Sequence, residues 1–425
     1  MKKEEIYPLF LECSGVSTDT RKITENSMFF ALKGENFNAN TFAVEALKKG
    51  AKYAVIDEDP ETPNERFLKV DDVLSTLQDL ATYHREKLGL TIIGLTGSNG
   101  KTTSKELINS VLSKKYKTKA TFGNLNNHIG VPLTLLSMNR ETEIGIVEMG
   151  ANHQKEIEFL CGIAKPNYGY ITNFGKAHLE GFGGIEGVIK GKSELYQYLK
   201  KNEKTIFLNI DDPIQQKETS YSKVFTFGES SEADVEVAYT QNGSFAGIKV
   251  NGLHVQSKLT GSYNAKNMAA AYTIATFFEV EQKLIREGLE NYIPGNNRSQ
   301  IISKENYQII MDAYNANPTS MAAAIENLES MDTTNKVAIL GDMFEMGPEA
   351  EKEHQAIADK LERSNIHRIF LVGENFYRTS TSNDITKFRT FEDFSAGFKP
   401  WQLDNAIILI KGSRGMALER TLEFL

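Results

Sequence analysis

Short apolar runs alternate along most of the chain with longer stretches in which apolar positions recur every three or four residues. That pattern predicts strands alternating with helices, and so an α/β fold. Residues 1–85 carry strand patterns at Ser27–Leu32 and Lys52–Ile56 and helical ones at Phe42–Lys49 and Val73–Leu88. Residues 86–294 are richer. Their strand patterns at Ile92–Leu95, Ile144–Glu148, Tyr168–Asn173 and Thr205–Asn209, with helical spacing between, predict a mostly parallel sheet. From Val224 to Leu259 the pattern turns to short strands broken by Asn242-Gly243 and Asn251-Gly252, which reads as an antiparallel annex. Gly261 to Asn264 opens an alanine-rich helix through Phe278, and Ile293-Pro-Gly-Asn-Asn297 punctuates the chain as a linker.

Residues 295–425 repeat the alternation. Strands are expected at Gln308–Asp312, Lys336–Leu340, Arg368–Val372 and Ala406–Ile410, and helices at Ser320–Met331, Glu349–Ser364 and Met416–Phe424. This is a Rossmann-like pattern without the glycine fingerprint of a dinucleotide site. Three domains are therefore expected: a small α/β domain, a central sheet domain and a C-terminal one.

The central strand Ile92–Leu95 runs into Gly97-Ser98-Asn99-Gly100-Lys101-Thr102, and helical spacing resumes from Glu106 to Leu112. Strand, glycine loop and helix in that order form a phosphate cradle, with backbone N–H groups and the helix dipole facing the anion. Lys101 can reach the terminal phosphates of ATP or GTP, and the Thr102 hydroxyl can hold Mg²⁺. Leu95 stands where the common P-loop pattern has glycine. A chance glycine turn is the plain alternative, and the flanking strand and helix count against it.

Composition narrows the class. A net charge of −8 and the lack of any dense basic run argue against a nucleic-acid surface. Cys13 and Cys161 are too few for a disulfide framework and show no metal-ligand spacing. MKKEEIYPLF has no apolar core of a secretory signal, and the longest apolar stretch, Ala269–Phe278, is too short to span a bilayer. A cytoplasmic protein with no membrane insertion is expected.

Ligands of open α/β sheets bind at the carboxyl ends of strands. Glu148 and Asn173 fall there, and Phe174-Gly-Lys-Ala-His178 follows the second. A carboxylate at that place suits Mg²⁺ beside a nucleotide. Taken alone, Glu148 reads as a solvated rim residue, His178 as a structural histidine and Lys192 as a solvent-facing helix lysine. Their joint position after the P-loop changes the weighing.

Together these stretches resemble the Mur ligases, ATP-dependent amide-forming enzymes of peptidoglycan synthesis, over essentially the whole chain. Thr96, Gly97, Ser98, Asn99, Gly100, Lys101, Thr102 and Thr103 are similar to the family's P-loop, which also has an apolar residue where Leu95 stands. Glu148-Met-Gly150 and Asn173 to His178 resemble its two metal-binding stretches, and Lys192 falls where the family carries a carbamylated lysine. The resemblance thus implies Thr102, Glu148, His178 and carbamylated Lys192 as holders of two Mg²⁺. Gly261 to Asn267 is similar to the family's GxHNxxN, which implies Asn264 and Asn267 near the adenine, with Tyr263 in place of the histidine. Arg298 and Asp312 match residues that hold the γ-phosphate and the ribose.

Asp312 to Ser320, Leu340 to Gly347, Asn124 to Pro132 and Lys411 to Arg414 resemble the branch of the family that adds D-alanyl-D-alanine to UDP-N-acetylmuramoyl-tripeptide. Substrate contacts are then implied at Asn126, Asn127, Tyr314, Asn315, Asn317, Lys411, Ser413 and Arg414. Ser17-Thr18-Asp19-Thr20-Arg21 and Phe29 to Gly34 are similar to that group's UDP-binding domain, although Asn38-Ala-Asn40 replaces its usual Asp-Gly-His. The implied reaction passes through an acyl phosphate, with Lys101, Lys192, His178 and Arg298 as catalytic groups in a monomer.

Two alternatives stand beside this reading. A folylpolyglutamate-type ligase would share the P-loop and the Lys192 chemistry, but not the UDP-type domain or Asn315-Ala-Asn-Pro318. A nucleotide-dependent switch of the GTPase kind would need an Asn-Lys-x-Asp base reader, which does not occur.

Overall fold

The computed structural model describes residues 1–60, 63–295, 297–304, 307–382, 384–399 and 405–425. Asn296, part of the expected linker, lies outside them. The first domain is a parallel four-stranded sheet in the order Val16–Ser17, Met28–Phe30, Tyr53–Ile56, Phe67–Lys69. The chain leaves it through the helix Val73–Leu88, which starts where the Asp72 side chain accepts from Ser75 N and ends at Gly89 in the left-handed conformation. The expected boundary at residue 85 falls inside this helix. Its buried face, Val73, Leu77, Leu80, Ala81 and His84, packs against Gly130–Leu136 and Glu156–Ala164 of the central domain and against the N-terminal helix Lys3–Leu11.

Seven parallel strands build the central sheet, in the order Val235–Glu236, Val224–Gly228, Thr205–Asn209, Tyr168–Ile171, Thr91–Thr96, Ile144–Glu148, Thr118–Ala120. Helices cover both faces, so its inner strands are buried on both sides and nearly wholly apolar. The first two strands correct the expectation that everything from Val224 on is antiparallel. Val224–Gly228 pairs in parallel register with Thr205–Asn209, and its Phe227 is buried in the same core cluster as residues of the helix Tyr263–Phe277. Only Ala238–Asn242, Phe245–Val250 and Leu253–Thr260 form the antiparallel annex. Asn251 and Gly252 turn its second hairpin with φ of 49° and 80°, the sign a type I′ turn demands at both positions.

The C-terminal sheet runs Gln300–Ser303, Tyr307–Asp312, Ala406–Lys411, Lys336–Gly341, Arg368–Val372, Ile385–Phe388, parallel except for its first strand. The expected helix at Met416–Phe424 is instead two 3₁₀ segments, Arg414–Met416 and Leu418–Glu423, split by Ala417 at φ 48°. One apolar cluster passes from Ile6 and Leu77 through Leu195 and Leu208 to Leu340 and Leu371, so it reaches all three domains. Among the described residues, no helix is long and apolar enough to cross a membrane.

Candidate active site

Thr91–Thr96 sits between Ile144–Glu148 and Tyr168–Ile171, so the loop after it opens between two neighbouring strand ends. Ile92, Ile93 and Leu95 are fully buried and fix that strand, and the helix Lys101–Leu112 leaves the loop with Leu107, Ile108 and Val111 in the core. Gly97 has φ 142° and lies against the next strand. A Cβ there would overlap the Thr172 hydroxyl and stand 2.9 Å from Thr172 N.

The stretch after Tyr168–Ile171 clamps the loop. Ser98 N donates to the Asn173 carbonyl at 3.0 Å, Asn99 N donates to Asn173 Oδ1 at 3.0 Å, and Ser98 Oγ donates to the Gly175 carbonyl at 2.8 Å. Asn173 Nδ2 and Thr172 Oγ1 both donate to the Asn99 carbonyl. Lys101 Nζ folds back onto the Gly97 and Ser98 carbonyls at 2.7 and 3.2 Å. Loss of hydration pulls its ammonium down to about 8, a shift opposed by the Glu148 carboxylate and aided by the Arg298 charge.

A cavity of about 580 Å³ opens at this loop. Its wall includes Ser98 to Thr103, Asn126, Asn127, Glu148, Asn173, His178, Asn264 and Asn267 from the central domain. Arg298, Asp312, Tyr314, Asn315, Asn317 and Lys411 close it from the C-terminal domain. Glu148 is 1 % exposed at the end of its strand. Thr102 Oγ1 donates to its two oxygens at 3.0 and 3.2 Å, Asn126 Nδ2 donates at 2.8 Å, and the buried Lys105 ammonium stands 4.0 Å away. A buried carboxylate beside a hydroxyl, at the foot of a phosphate-type loop, is a donor pair that fits a hard divalent cation. Among the described residues, no three His, Cys, Asp or Glu side chains gather into a metal cage. Such a cation would take its remaining oxygens from water and phosphate, which is how Mg²⁺ is usually held.

The two other expected metal groups are bonded elsewhere. His178 has φ 54° and lines the cavity, but its Nδ1 is joined to the Glu345 carboxylate of the C-terminal domain, and chiefly that bond holds the Glu345 carboxyl below its ordinary range. Lys192 is fully buried on the helix Ile185–Lys201, behind the cavity wall. Its Nζ donates to the Ala151 carbonyl at 3.0 Å and lies 5.0 Å over the Phe182 ring, and among the described residues no carboxylate is bonded to it. Burial, then the Lys101 charge, holds its ammonium well below the usual lysine range. A lysine so placed is readily neutral, the form that reacts with CO₂.

Asn264 and Asn267 form a chain: Asn267 Nδ2 donates to Asn264 Oδ1 at 2.8 Å, and Ser104 Oγ donates to Asn267 Oδ1 at 3.1 Å. Tyr263 meets Ser299 through its hydroxyl. Arg298 stacks 3.6 Å above the Tyr314 ring, and Arg414 approaches the same ring at 5.7 Å. The buried Lys411 Nζ bonds Asp312 Oδ2 at 2.6 Å and the Asn315 carbonyl at 3.1 Å. Ser413 Oγ accepts from Phe344 N. Asn127 Oδ1 accepts from Ile129 N and Gly130 N just before Gly130–Leu136, whereas Asn317 both caps Pro318–Glu329 and donates to Asn99 Oδ1 at 2.7 Å, across the domains.

Thr96, Gly97, Ser413 and Arg414 do not line the cavity, and neither do Thr18, Asp19, Thr20 and Arg21 on the first domain. There Asp19 accepts from Arg21 N and pairs with the Arg21 guanidinium at 2.9 Å, which takes the Asp19 carboxyl down to about 2. Sequence reasoning missed Lys105, Thr121, Glu345 and Glu353. Thr121 Oγ1 accepts from Glu148 N, and Lys105 Nζ donates to the Thr121 carbonyl. Lys105 lies three residues past Thr102 and Glu345 lies inside an already notable stretch, so proximity to those motifs was the available signal.

The profile of the Mur ligase middle domain matches residues 95–275, and that of the Mur ligase glutamate ligase domain matches residues 297–414. The UDP-N-acetylmuramoyl-tripeptide–D-alanyl-D-alanine ligase of Bacillus subtilis is 33 % identical over 417 residues, 95 % of this chain and 91 % of that one. A crystal structure of MurF from Acinetobacter baumannii superposes with a TM-score of 0.89 at 29 % identity, covering 100 % of this chain and 98 % of the other. MurF ligase from Thermotoga maritima, solved in complex with ADP, gives a TM-score of 0.83 at 26 % identity with 97 % of each chain covered. Sequence, architecture and cavity agree, and the chain belongs to the Mur ligase family, within the group of the UDP-N-acetylmuramoyl-tripeptide–D-alanyl-D-alanine ligases.

Proposed function

We propose that this chain is an ATP-dependent ligase that joins D-alanyl-D-alanine to UDP-N-acetylmuramoyl-tripeptide, releasing ADP and phosphate, in cytoplasmic peptidoglycan precursor synthesis. The observation that carries this reading is the convergence of Lys101, Thr102 and Glu148 from one domain with Arg298, Asp312 and Lys411 from another on a single cavity. Residues 1–85 are assigned to the UDP end, 86–294 to ATP and 295–425 to the dipeptide.

A carboxylate resists attack by an amine, so it is activated first. Its oxygen attacks the γ-phosphorus of ATP, the bond to ADP breaks, and an acyl phosphate forms. The neutral amine of the dipeptide then adds to the acyl carbon, phosphate departs and the amine sheds its proton. Both steps crowd negative charge, and the chain answers with Lys101 on the loop and Arg298, held flat by Tyr314, from the facing domain. Asn264 and Asn267 are assigned to the adenine side and Asp312 to the ribose. Asn126, Asn127, Tyr314, Asn315 and Asn317 are assigned to the substrates, with Lys411, Ser413 and Arg414 on the dipeptide side. Thr102, Glu148, His178 and a carbamate on Lys192 would hold two Mg²⁺, which neutralise phosphoryl oxygens when bound. A carbamate there would bring negative charge and the oxygen ligands that Mg²⁺ prefers.

Purified protein with Mg-ATP, the UDP-tripeptide and D-alanyl-D-alanine should give the UDP-pentapeptide, detected by mass spectrometry. ADP without pentapeptide would reject the substrate assignment. Lysine and diaminopimelate tripeptides assayed side by side identify the third residue.

A further inference from the structure

The C-terminal domain touches the P-loop side of the central domain through a short row of polar contacts. Lys176 Nζ pairs with the buried Glu353 at 2.5 Å, and Lys176 N donates to Thr319 Oγ1 at 3.0 Å. Two residues on, the His178 ring meets Glu345, and Glu180 N donates to the Glu345 carbonyl at 3.3 Å. Both members of the His178–Glu345 pair are non-glycine residues in the left-handed region, with φ of 54° and 61°. Such backbones persist only where their surroundings hold them, and they concentrate at functional sites.

A carboxylate can only accept, so the Nδ1 that faces Glu345 carries the hydrogen. In the neutral ring the other nitrogen, Nε2, is then the one left with a lone pair, on a side chain that lines the cavity with Thr102 and Glu148. Histidines that ligate cations are commonly oriented in this way by a carboxylate behind them. Here that carboxylate belongs to a different domain.

We propose that Glu345 is a positioning residue for the cation and phosphate site: the docked C-terminal domain uses it to fix His178 as the Nδ1–H tautomer and so completes the site only on closure. The inference rests on His178 being a cation ligand. It makes domain docking and ligand geometry one event, because the histidine loses its orienting partner whenever the domains separate.

The test uses full-length protein with Glu345→Ala, Glu345→Gln, His178→Ala and Lys176→Ala. Lys176→Ala removes a cross-domain ion pair that does not touch His178. In metal-free protein at pH 8 with ATP analogue and UDP-tripeptide, ¹⁵N-histidine spectra should show His178 as Nδ1–H in the native and Lys176→Ala proteins. Glu345→Ala should show mixed tautomers. With MgCl₂ as the probe, Glu345→Ala should raise the Mg²⁺ concentration needed for half-maximal turnover by about 10- to 100-fold. Glu345→Gln, which keeps an acceptor, should fall between, and Glu345→Ala should add nothing to His178→Ala. A native tautomer in Glu345→Ala, equal effects of Lys176→Ala and Glu345→Ala, or additive losses in the double variant would each overturn the role of Glu345. A native Mg²⁺ requirement in His178→Ala would instead remove the ligand reading beneath it.

Discussion

Gly97→Ala should cost the protein its nucleotide before it costs the fold. The substitution meets two obstacles that act together. Gly97 has φ 142°, where an L side chain is strained by about 1–3 kcal/mol. The new Cβ would also stand 2.9 Å from Thr172 N, and overpacking of a tight contact costs about 1–3 kcal/mol. Both are relieved if the loop moves off the neighbouring strand. The cradle is then the minor state, disfavoured by about 3 kcal/mol, and ATP affinity falls by about two powers of ten. Calorimetric titration with a non-hydrolysable ATP analogue measures that loss, and a thermal melt checks the fold. Gly243→Ala is the control: φ there is 59°, with open space around the missing Cβ, in a hairpin remote from the cavity. Adding Thr172→Ala to Gly97→Ala should restore only part of the affinity, since Thr172 N remains in place. Native affinity in Gly97→Ala would refute the claim that the loop must lie against Thr172 to bind phosphate.

Lys192→Ala should be nearly inactive and partly rescued by acetate or formate, whereas Lys192→Arg should not be rescued; near-native turnover in Lys192→Ala would make the lysine a packing residue only. Arg414→Ala should raise KM for D-alanyl-D-alanine by about 10- to 100-fold, the worth of a charged hydrogen bond, with KM for the UDP-tripeptide steady; equal rises in both would reject its place on the dipeptide side. Burial lowers both His84 and His354, against the opposing Met138 and Ala350 carbonyls. The stability gained by keeping them neutral is full above about pH 6.5 and is lost as pH falls towards their lowered folded values. The Tm should therefore drop between pH 8 and 5, and less in His84→Gln; parallel curves would acquit His84.

Strands were legible in sequence where burial on both faces made them uniformly apolar, as at Ile144–Glu148 and Thr205–Asn209, whose bounds match the reading. Polar edges were not. Gln300–Ser303 looks like loop because only pairing with Tyr307–Asp312 makes it a strand. The Val224 strand was misassigned because its partner, not its own pattern, decides between parallel and antiparallel pairing. Spacing put Thr102 after a glycine loop and Glu148 at the end of an apolar strand, but that the two strands are adjacent, so that Thr102 Oγ1 donates to Glu148, is visible only in the fold. Spacing gave no view of Glu345, since a contact 167 residues away leaves no periodic trace.

The helix Val73–Leu88 has a consequence for exchanging parts between relatives. Its apolar face is shared by the first domain, the N-terminal helix and the central domain, so residues 1–85 are not a detachable cassette. His84 sharpens the point: Tyr7 contacts its Nδ1 at 3.2 Å while its Nε2 bonds the Met138 carbonyl at 2.9 Å, joining three segments with one ring. A chimera cut at residue 85 would sever the helix one residue past that ring. One cut beyond Gly89 would keep the helix whole but set a foreign surface against Gly130–Leu136 and Glu156–Ala164. A graft of the first domain must therefore bring matching residues for those two helices as well.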